Sequence, residues 1–294
     1  MTANNTDSVL TPQPADRVWQ LVIRPRTRWF DLHLADLWRY RDLVGMFVRR
    51  DFVSQFKQTL LGPLWFLVQP LLTTVVFTVV FGNIAGLSTD GLPKTLFYLS
   101  GSVVWMYFSG VLTAAANTFV GNANLFGKVY FPRMAVPLSI AISNLIKFGV
   151  QILFFLAFLV CFVLRGAEVR VTAAVWLFPL LVLIMAGQGL GLGIIFSSMT
   201  TKYRDLRFLL EFGVRLLMYA TPVIYPLSSI PDRWRWVLLV NPMTPIIEIF
   251  RLGFLGEGVL HWGWLGYSAG FALAALLLGI VMFNRVERTF MDTV

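Results

Sequence analysis

An all-α polytopic membrane protein is the fold this sequence predicts. It has six transmembrane helices, an N-terminal amphipathic interface helix and short re-entrant helices between spans 5 and 6. Three observations carry that expectation. Hydrophobic residues make up 57% of the chain and charged residues 13%, where a soluble domain carries about 25% charged residues; the mean hydropathy is +0.72. Six segments satisfy or approach the roughly 20 apolar residues that cross a bilayer: Leu64 to Ile84, Leu96 to Ala116, Val136 to Leu164, Ala174 to Ser198, Phe208 to Tyr225 and Trp264 to Phe283. The basic residues between them are also unevenly shared. Nine precede the first segment, and Lys128, Arg133, Lys202, Arg204, Arg207, Arg285 and Arg288 fall on the same side, against Lys94, Arg165, Arg170, Arg233, Arg235 and Arg251 on the other. Basic loops stay in the cytoplasm, so both termini are expected there, with the chain embedded in the cytoplasmic (inner) membrane.

In chain order, residues 1–31 contain Pro12, Pro14 and Pro25 among scattered charges and predict a flexible cytoplasmic tail. They hold no apolar stretch of the kind found in a cleavable leader, so the first span is expected to direct insertion. Residues 32–62 predict amphipathic interface helices. Leu37, Tyr40, Val44, Phe47 and Val48 share one face, and after Arg49, Arg50 and Asp51 the stripe moves to Phe52, Phe56 and Leu60. The shift predicts two pieces, or one helix bent at Arg49 to Asp51. Leu61, Gly62 and Pro63 then turn the chain into the six-span domain over residues 63–284, with Gly62 as hinge, and residues 285–294 form a second cytoplasmic tail. Between Pro226 and His261 the apolar pieces Trp236 to Val240 and Ile246 to Phe250 are too short to cross and are broken by Pro231, Pro242 and Pro245. A re-entrant arrangement is preferred there over a purely surface one.

Several function classes are excluded. The net charge of +9 is read as orientation signal and contact with anionic membrane lipids rather than nucleic acid, because no basic stripe with free aromatics lies outside the apolar runs. One cysteine, Cys161, and two distant histidines, His33 and His261, leave no disulfide and no metal site. The pair Gly127-Lys128 is followed by Val129, and Asn122 stands where a phosphate-binding loop needs its first glycine. No catalytic residue and no cofactor are therefore expected in this chain. Gly187, Gly189, Gly191 and Gly193 lie inside an apolar run, where small residues let helices approach.

Charges inside spans suggest function by default. Lys147 shares its span with Asn144 and Gln151, and Glu211 precedes Arg215 at the i, i+4 spacing that favours a pair. A self-neutralising pair facing the bundle and a pore lining both fit. Arg204 and Asp205, just after the fourth span, are expected to organise the cytoplasmic entrance. The segment from Phe119 to Pro137 reads as a short amphipathic helix closed by Pro132, either an ordinary interfacial loop or a docking element for a cytoplasmic partner.

Taken together, Arg49-Arg50-Asp51 with Gln58 to Trp65 and Gln69-Pro70, the run Lys128 to Arg133, Tyr203-Arg204-Asp205, Thr221 to Tyr225, and Asn241-Pro242-Met243 with Arg251 resemble the ABC-2 type permeases. These are the membrane subunits that export O-antigen, capsule and teichoic-acid chains. The likeness runs in order from about residue 40 to the end. It implies a homodimer paired with two copies of a separate ATPase subunit that carries the ATP and Mg. It also implies an interface helix and hinge at Arg49, Arg50, Asp51, Phe56, Leu61 and Gly62, and an ATPase-coupling loop at Asn122, Asn124, Leu125, Phe126 and Lys128. A polysaccharide or lipid-linked glycan needs aromatic rings with polar tips along its path, and Trp65, Phe77, Tyr98, Trp105, Tyr107, Tyr219 and Tyr225 are the channel candidates, although Trp and Tyr also belt the interface and Phe faces lipid. The rival readings are an exporter of a drug, haem or lipid on the same architecture, an integral-membrane glycosyl or lipid transferase, and a proton-coupled transporter.

Overall fold

The computed structural model describes residues 38–293 apart from 127, 129 and 130, and the side chains of residues 56, 124 and 287–293 also lie outside it. The expected tail over residues 1–31 and the start of the interface segment fall outside the described residues. Those described form helices and connections, with no strand among them.

Helix α1 (Arg41–Phe56) runs through Arg49 to Asp51 without a break, so the shift of its apolar stripe does not divide it. A 3-10 turn, Gly62–Leu64, leads into α2 (Trp65–Phe77), which continues as a π-helical turn, Thr78–Ile84. Gly62 has φ +51°, a left-handed conformation that favours glycine at this corner. Then follow α3 (Lys94–Ala116), the one-turn helices α4 (Thr118–Gly121) and α5 (Ala123–Phe126), and α6 (Ala135–Leu164). The chain goes on through α7 (Phe178–Thr200), α8 (Leu206–Tyr219), α9 (Asp232–Val240), α10 (Thr244–Leu255) and α11 (Trp262–Thr293).

Helices α3 and α7 form the interior, while α2, α6 and α11 expose broad apolar faces. The glycines of α7 explain its central place. A Cβ on Gly191 would lie 2.6 Å from the backbone of Ala275 and Leu276 in α11, and one on Gly193 would lie 2.6 Å from Ala115 Cβ in α3. Gly187 and Gly191 thus admit α11, and Gly189 and Gly193 admit α3. The glycine run is a packing device on two faces, as small residues in apolar helices allow.

A small apolar cluster defines one end of the molecule, the α1 end. Val44 and Phe47 of α1 meet Phe119, Phe126, Phe131 and Phe283 there, with Phe119 stacked on Phe283 at 4.5 Å between centroids. The opposite, hairpin end carries the α2–α3 loop, α9, α10 and the start of α11. Among the described residues five helical segments are long and apolar enough to cross a membrane: Gly62–Ile84, Lys94–Ala116, Ala135–Leu164, Ala173–Thr200 and Trp262–Val286.

The crossing expected over Phe208 to Tyr225 differs from these five. Its helix α8 has 14 residues, about 21 Å at 1.5 Å per residue, short of the ~30 Å hydrocarbon core. The chain still passes from end to end: Ser197, near the close of α7, accepts a bond from Phe119 N–H at the α1 end, whereas the Ser228 hydroxyl donates to Asp90 in the α2–α3 loop at 2.7 Å. Non-helical backbone from Ala220 to Ile224 completes the passage. Pro222 and Pro226 stop the helix, because proline lacks the N–H and restricts the residue before it. Beyond it, α9 and α10 meet at 100°.

Candidate functional site

Five helices enclose a polar groove of about 580 Å³ in the half of the molecule nearer the α1 end. α1 contributes Gln55, α2 contributes Phe66 and Gln69, and α3 contributes Trp105, Tyr107, Ser109 and Thr113. α6 adds Asn144, Lys147 and Gln151, whose spacing of three and four places them on one helical face, and α8 adds Glu211 and Arg215. Lys147 lies about 18 Å along α6 by helical rise, well into the span.

The groove's polar groups divide by what they already hold. Pro70 in α2 has no N–H to give to Phe66 C=O, four residues back; Gln151 Nε2 donates to that carbonyl across the helix interface at 3.4 Å. Gln151 is thus a structural prop as well as a wall. Asn144 Nδ2 donates to Ile140 O of its own helix at 2.8 Å, and the hydroxyls of Ser109 and Thr113 bond back along α3 at 2.8 and 2.7 Å. Glu211 pairs with Arg207 at 3.3 Å and not with Arg215. Both spacings are i, i+4, so sequence spacing alone does not choose between them. Among the described residues neither Arg215 nor Lys147 has an ion pair; the Lys147 ammonium lies 5.8 Å from the Phe66 ring and within longer electrostatic reach of Asp51.

At the hairpin end, Arg251 clamps the broken fifth crossing. Its guanidinium is 2% exposed and lies 3.7 Å over the Phe97 ring. Nη1 donates to Pro222 O at 2.6 Å, Nη2 to Val223 O at 2.8 Å and Nε to Ser100 Oγ at 3.4 Å. Glu248, one turn back on α10, stands 3.9 Å away. Asn241 Nδ2 adds bonds to Ala220 O and Thr221 Oγ1. Carbonyls freed by leaving the helix have no water to turn to at this depth, and these side chains replace it. The bend between α9 and α10 is held likewise: Gln188 of α7 and Ser268 of α11 both donate to Pro242 O.

A family model described as ABC-2 type transporter matches residues 42–255. The chain belongs to the ABC-2 type transporter family. It is 27% identical over 253 residues to the O-antigen export system permease protein RfbA of Klebsiella pneumoniae, covering 85% of this chain and 94% of that protein. With the protein of the same name in Myxococcus xanthus it shares 29% over 224 residues, 75% and 83% of the two chains. With the polysialic acid transport protein KpsM of Escherichia coli it shares 24% over 254 residues, 83% and 93%.

In this ABC-2 type chain the groove gathers two of the channel aromatics expected from the sequence, Trp105 and Tyr107, and the three intramembrane charges, Lys147, Glu211 and Arg215. The other aromatics lie elsewhere. Phe77 and Tyr98 belong to the buried core, Tyr98 with 0% exposure, and Trp65 is exposed on the first turn of α2. Tyr219 and Tyr225 flank the unwound stretch, where the Tyr225 hydroxyl donates to Tyr219 O at 2.8 Å. Core packing claims Phe77 and Tyr98 because the half of α3 next to the hairpin end is covered on nearly all sides.

In the loop expected to couple to an ATPase, Phe126 is 2% exposed and turned into the apolar cluster, where it anchors the loop. Leu125 is half-buried, Lys128 is exposed, and Asn122 Nδ2 bonds Thr118 O; the side chain of Asn124 lies outside the described residues. On the interface segment, Arg49 is exposed, Arg50 holds Asp51 at 2.8 Å, and Leu61 is exposed beside Gly62; the side chain of Phe56 lies outside the described residues. Arg204 and Asp205 are exposed in the turn between α7 and α8. The residue that sequence reasoning misplaced is Arg251, counted among loop charges; its signal was a basic residue flanked by apolar ones in a short helical run.

Proposed function

We propose that this chain is the membrane-spanning subunit of an ABC exporter that carries a polysaccharide, joined to a lipid, out across the inner membrane. Two copies of it pair with two copies of a separate ATPase, both termini face the cytoplasm, and the chain itself holds no nucleotide. The observation that carries this reading is the family match over 42–255 together with relatives named for O-antigen and polysialic acid export. The groove supports it: aromatic rings beside amides and hydroxyls suit a hydroxyl-rich chain, which stacks its CH faces and needs replacement partners for its hydroxyls.

With both termini inside, the groove opens towards the cytoplasmic half as an entrance, and the paired helices α9 and α10 form a re-entrant gate at the exit. ATP turnover on the partner is transmitted through Lys128, Leu125 and α1 to the Gly62 corner and hence to α2, one wall of the groove.

The test is ATP hydrolysis by the co-purified complex in vesicles. A lipid-linked glycan should stimulate it, and Leu125→Asp should remove both stimulation and ATPase co-purification while membrane insertion persists. Stimulation by haem or a hydrophobic drug but not by glycan would instead establish the rival exporter reading.

A further inference from the structure

The groove's charges do not balance. Its carboxylate, Glu211, is already engaged by Arg207 at 3.3 Å. Asp51, the other carboxylate within electrostatic reach of Lys147, is held by Arg50, whose Nε and Nη2 donate to it at 2.9 and 2.8 Å. The groove lining itself thus holds one acid, Glu211, against two cations, Lys147 and Arg215, and that acid is paired with Arg207 outside the lining. Cations at membrane depth are costly and are normally paired, as Arg251 is in this same molecule by Glu248 and three acceptors. Both line one cavity of about 580 Å³, whose remaining wall includes apolar Phe66, Met106, Val214 and Met218.

We propose that Lys147 and Arg215 together bind a phosphoryl headgroup carried on an apolar tail. An ammonium and a guanidinium provide charge-assisted donors to the several oxygens of one phosphoryl group. The apolar wall takes the first part of the tail, and the volume far exceeds that of a phosphate alone. Such a headgroup has two sources, a phospholipid of the bilayer or the diphosphate of a lipid that bears the exported glycan. The site deepens the export reading by naming what the entrance grips first, but the charge count stands without it.

The experiment uses the full-length chain in phosphatidylcholine nanodiscs, without ATPase or glycan, and farnesyl diphosphate as probe, with binding read from broadening of its phosphorus resonances. The wild-type chain is expected to bind. Lys147→Gln and Arg215→Gln should each weaken binding by about tenfold or more, as loss of one charged hydrogen-bond partner does, and Lys147→Arg should retain it. Glu211→Gln, which releases Arg207, should leave binding equal or tighter; a purely structural role for the charges predicts that it weakens.

No binding to the wild type, or equal binding by the Lys147→Gln/Arg215→Gln double variant, overturns the proposal; if the double variant does not fold, Lys147→Arg and Glu211→Gln decide it. Phosphatidylglycerol added to the disc distinguishes the sources: competition assigns the site to bilayer phospholipid, and its absence assigns it to the diphosphate carrier. Binding without glycan-stimulated ATPase would keep this site and remove the export reading.

Discussion

At the hairpin end, Arg251 is buried at 2% exposure with three hydrogen bonds, an aromatic ring and an acid around its guanidinium. In the groove, Lys147 and Arg215 have no carboxylate of their own among the described residues, and Arg215 is exposed. All three are cations in an apolar bundle, where position in a span alone would call each of them functional. Their partners separate them. Arg251 is fixed by acceptors that have no other donor, so it serves architecture; Lys147 and Arg215 keep their valence for something outside the chain. The general lesson is that a charge at membrane depth is classified by what it already holds.

The strongest break of this contrast is Arg251→Ala. It strips two carbonyls of their donor and leaves Glu248 with only the backbone amides of Leu227 and Val259. Removing one partner of a buried pair costs about 3–5 kcal/mol, so folded yield and thermal unfolding in detergent should show a severe loss, one that Arg251→Lys does not fully repair because a single ammonium cannot fork to both carbonyls. Next comes Gln151→Leu, which removes the side-chain donor to Phe66 C=O beside Pro70 and should lower stability by about 1–3 kcal/mol in the same assay. Gly62→Ala forces a Cβ into a left-handed corner that has open space around it, for about 1–2 kcal/mol; vesicle export should fall more than assembly with the ATPase.

Lys147→Gln and Arg215→Gln sharpen the comparison from the other side. Neither removes a bond the fold uses, so unfolding should shift within about 0.5 kcal/mol or rise slightly, while export falls; a loss of stability like that of Arg251→Ala would erase the distinction. Smallest is Arg207→Gln, because the Arg207–Glu211 pair is about half exposed and such pairs contribute about 0.3–0.5 kcal/mol.

Much of the architecture was legible. Apolar run length and prolines locate five spans and the interrupted stretch after Pro226, because hydrocarbon thickness leaves little choice of element length. The spacing of Asn144, Lys147 and Gln151 marks one face of α6, and the glycine run of α7 reads as a packing surface. The fifth crossing was legible as an apolar run but not as a 14-residue helix, since hydropathy does not distinguish helix from extended backbone whose carbonyls are bonded from a distance. Arg251 escaped for the same reason: its acceptors lie 28 and 29 residues away in sequence, beyond any local pattern. The partner of Glu211 was open because Arg207 and Arg215 are both four residues from it. Phe77 and Tyr98 could not be told from channel aromatics, since composition does not say which side of a helix other helices cover.

The clamp also has an order in time. A chain made from its N-terminus presents the carbonyls of Pro222 and Val223 before the guanidinium of Arg251 exists. At about 5–20 residues per second, the gap of 29 residues lasts roughly 1.5–6 s. During that interval the fifth segment cannot rest in hydrocarbon with its last turn unwound. It must wait at the insertion machinery, or hold a provisional helical form, until α10 arrives. Residues 206–255 are therefore expected to settle as one unit: with a ribosome stalled between Ile224 and Arg251, waiting at the machinery leaves the fifth segment accessible to aqueous labelling, and a provisional helix in hydrocarbon leaves it protected.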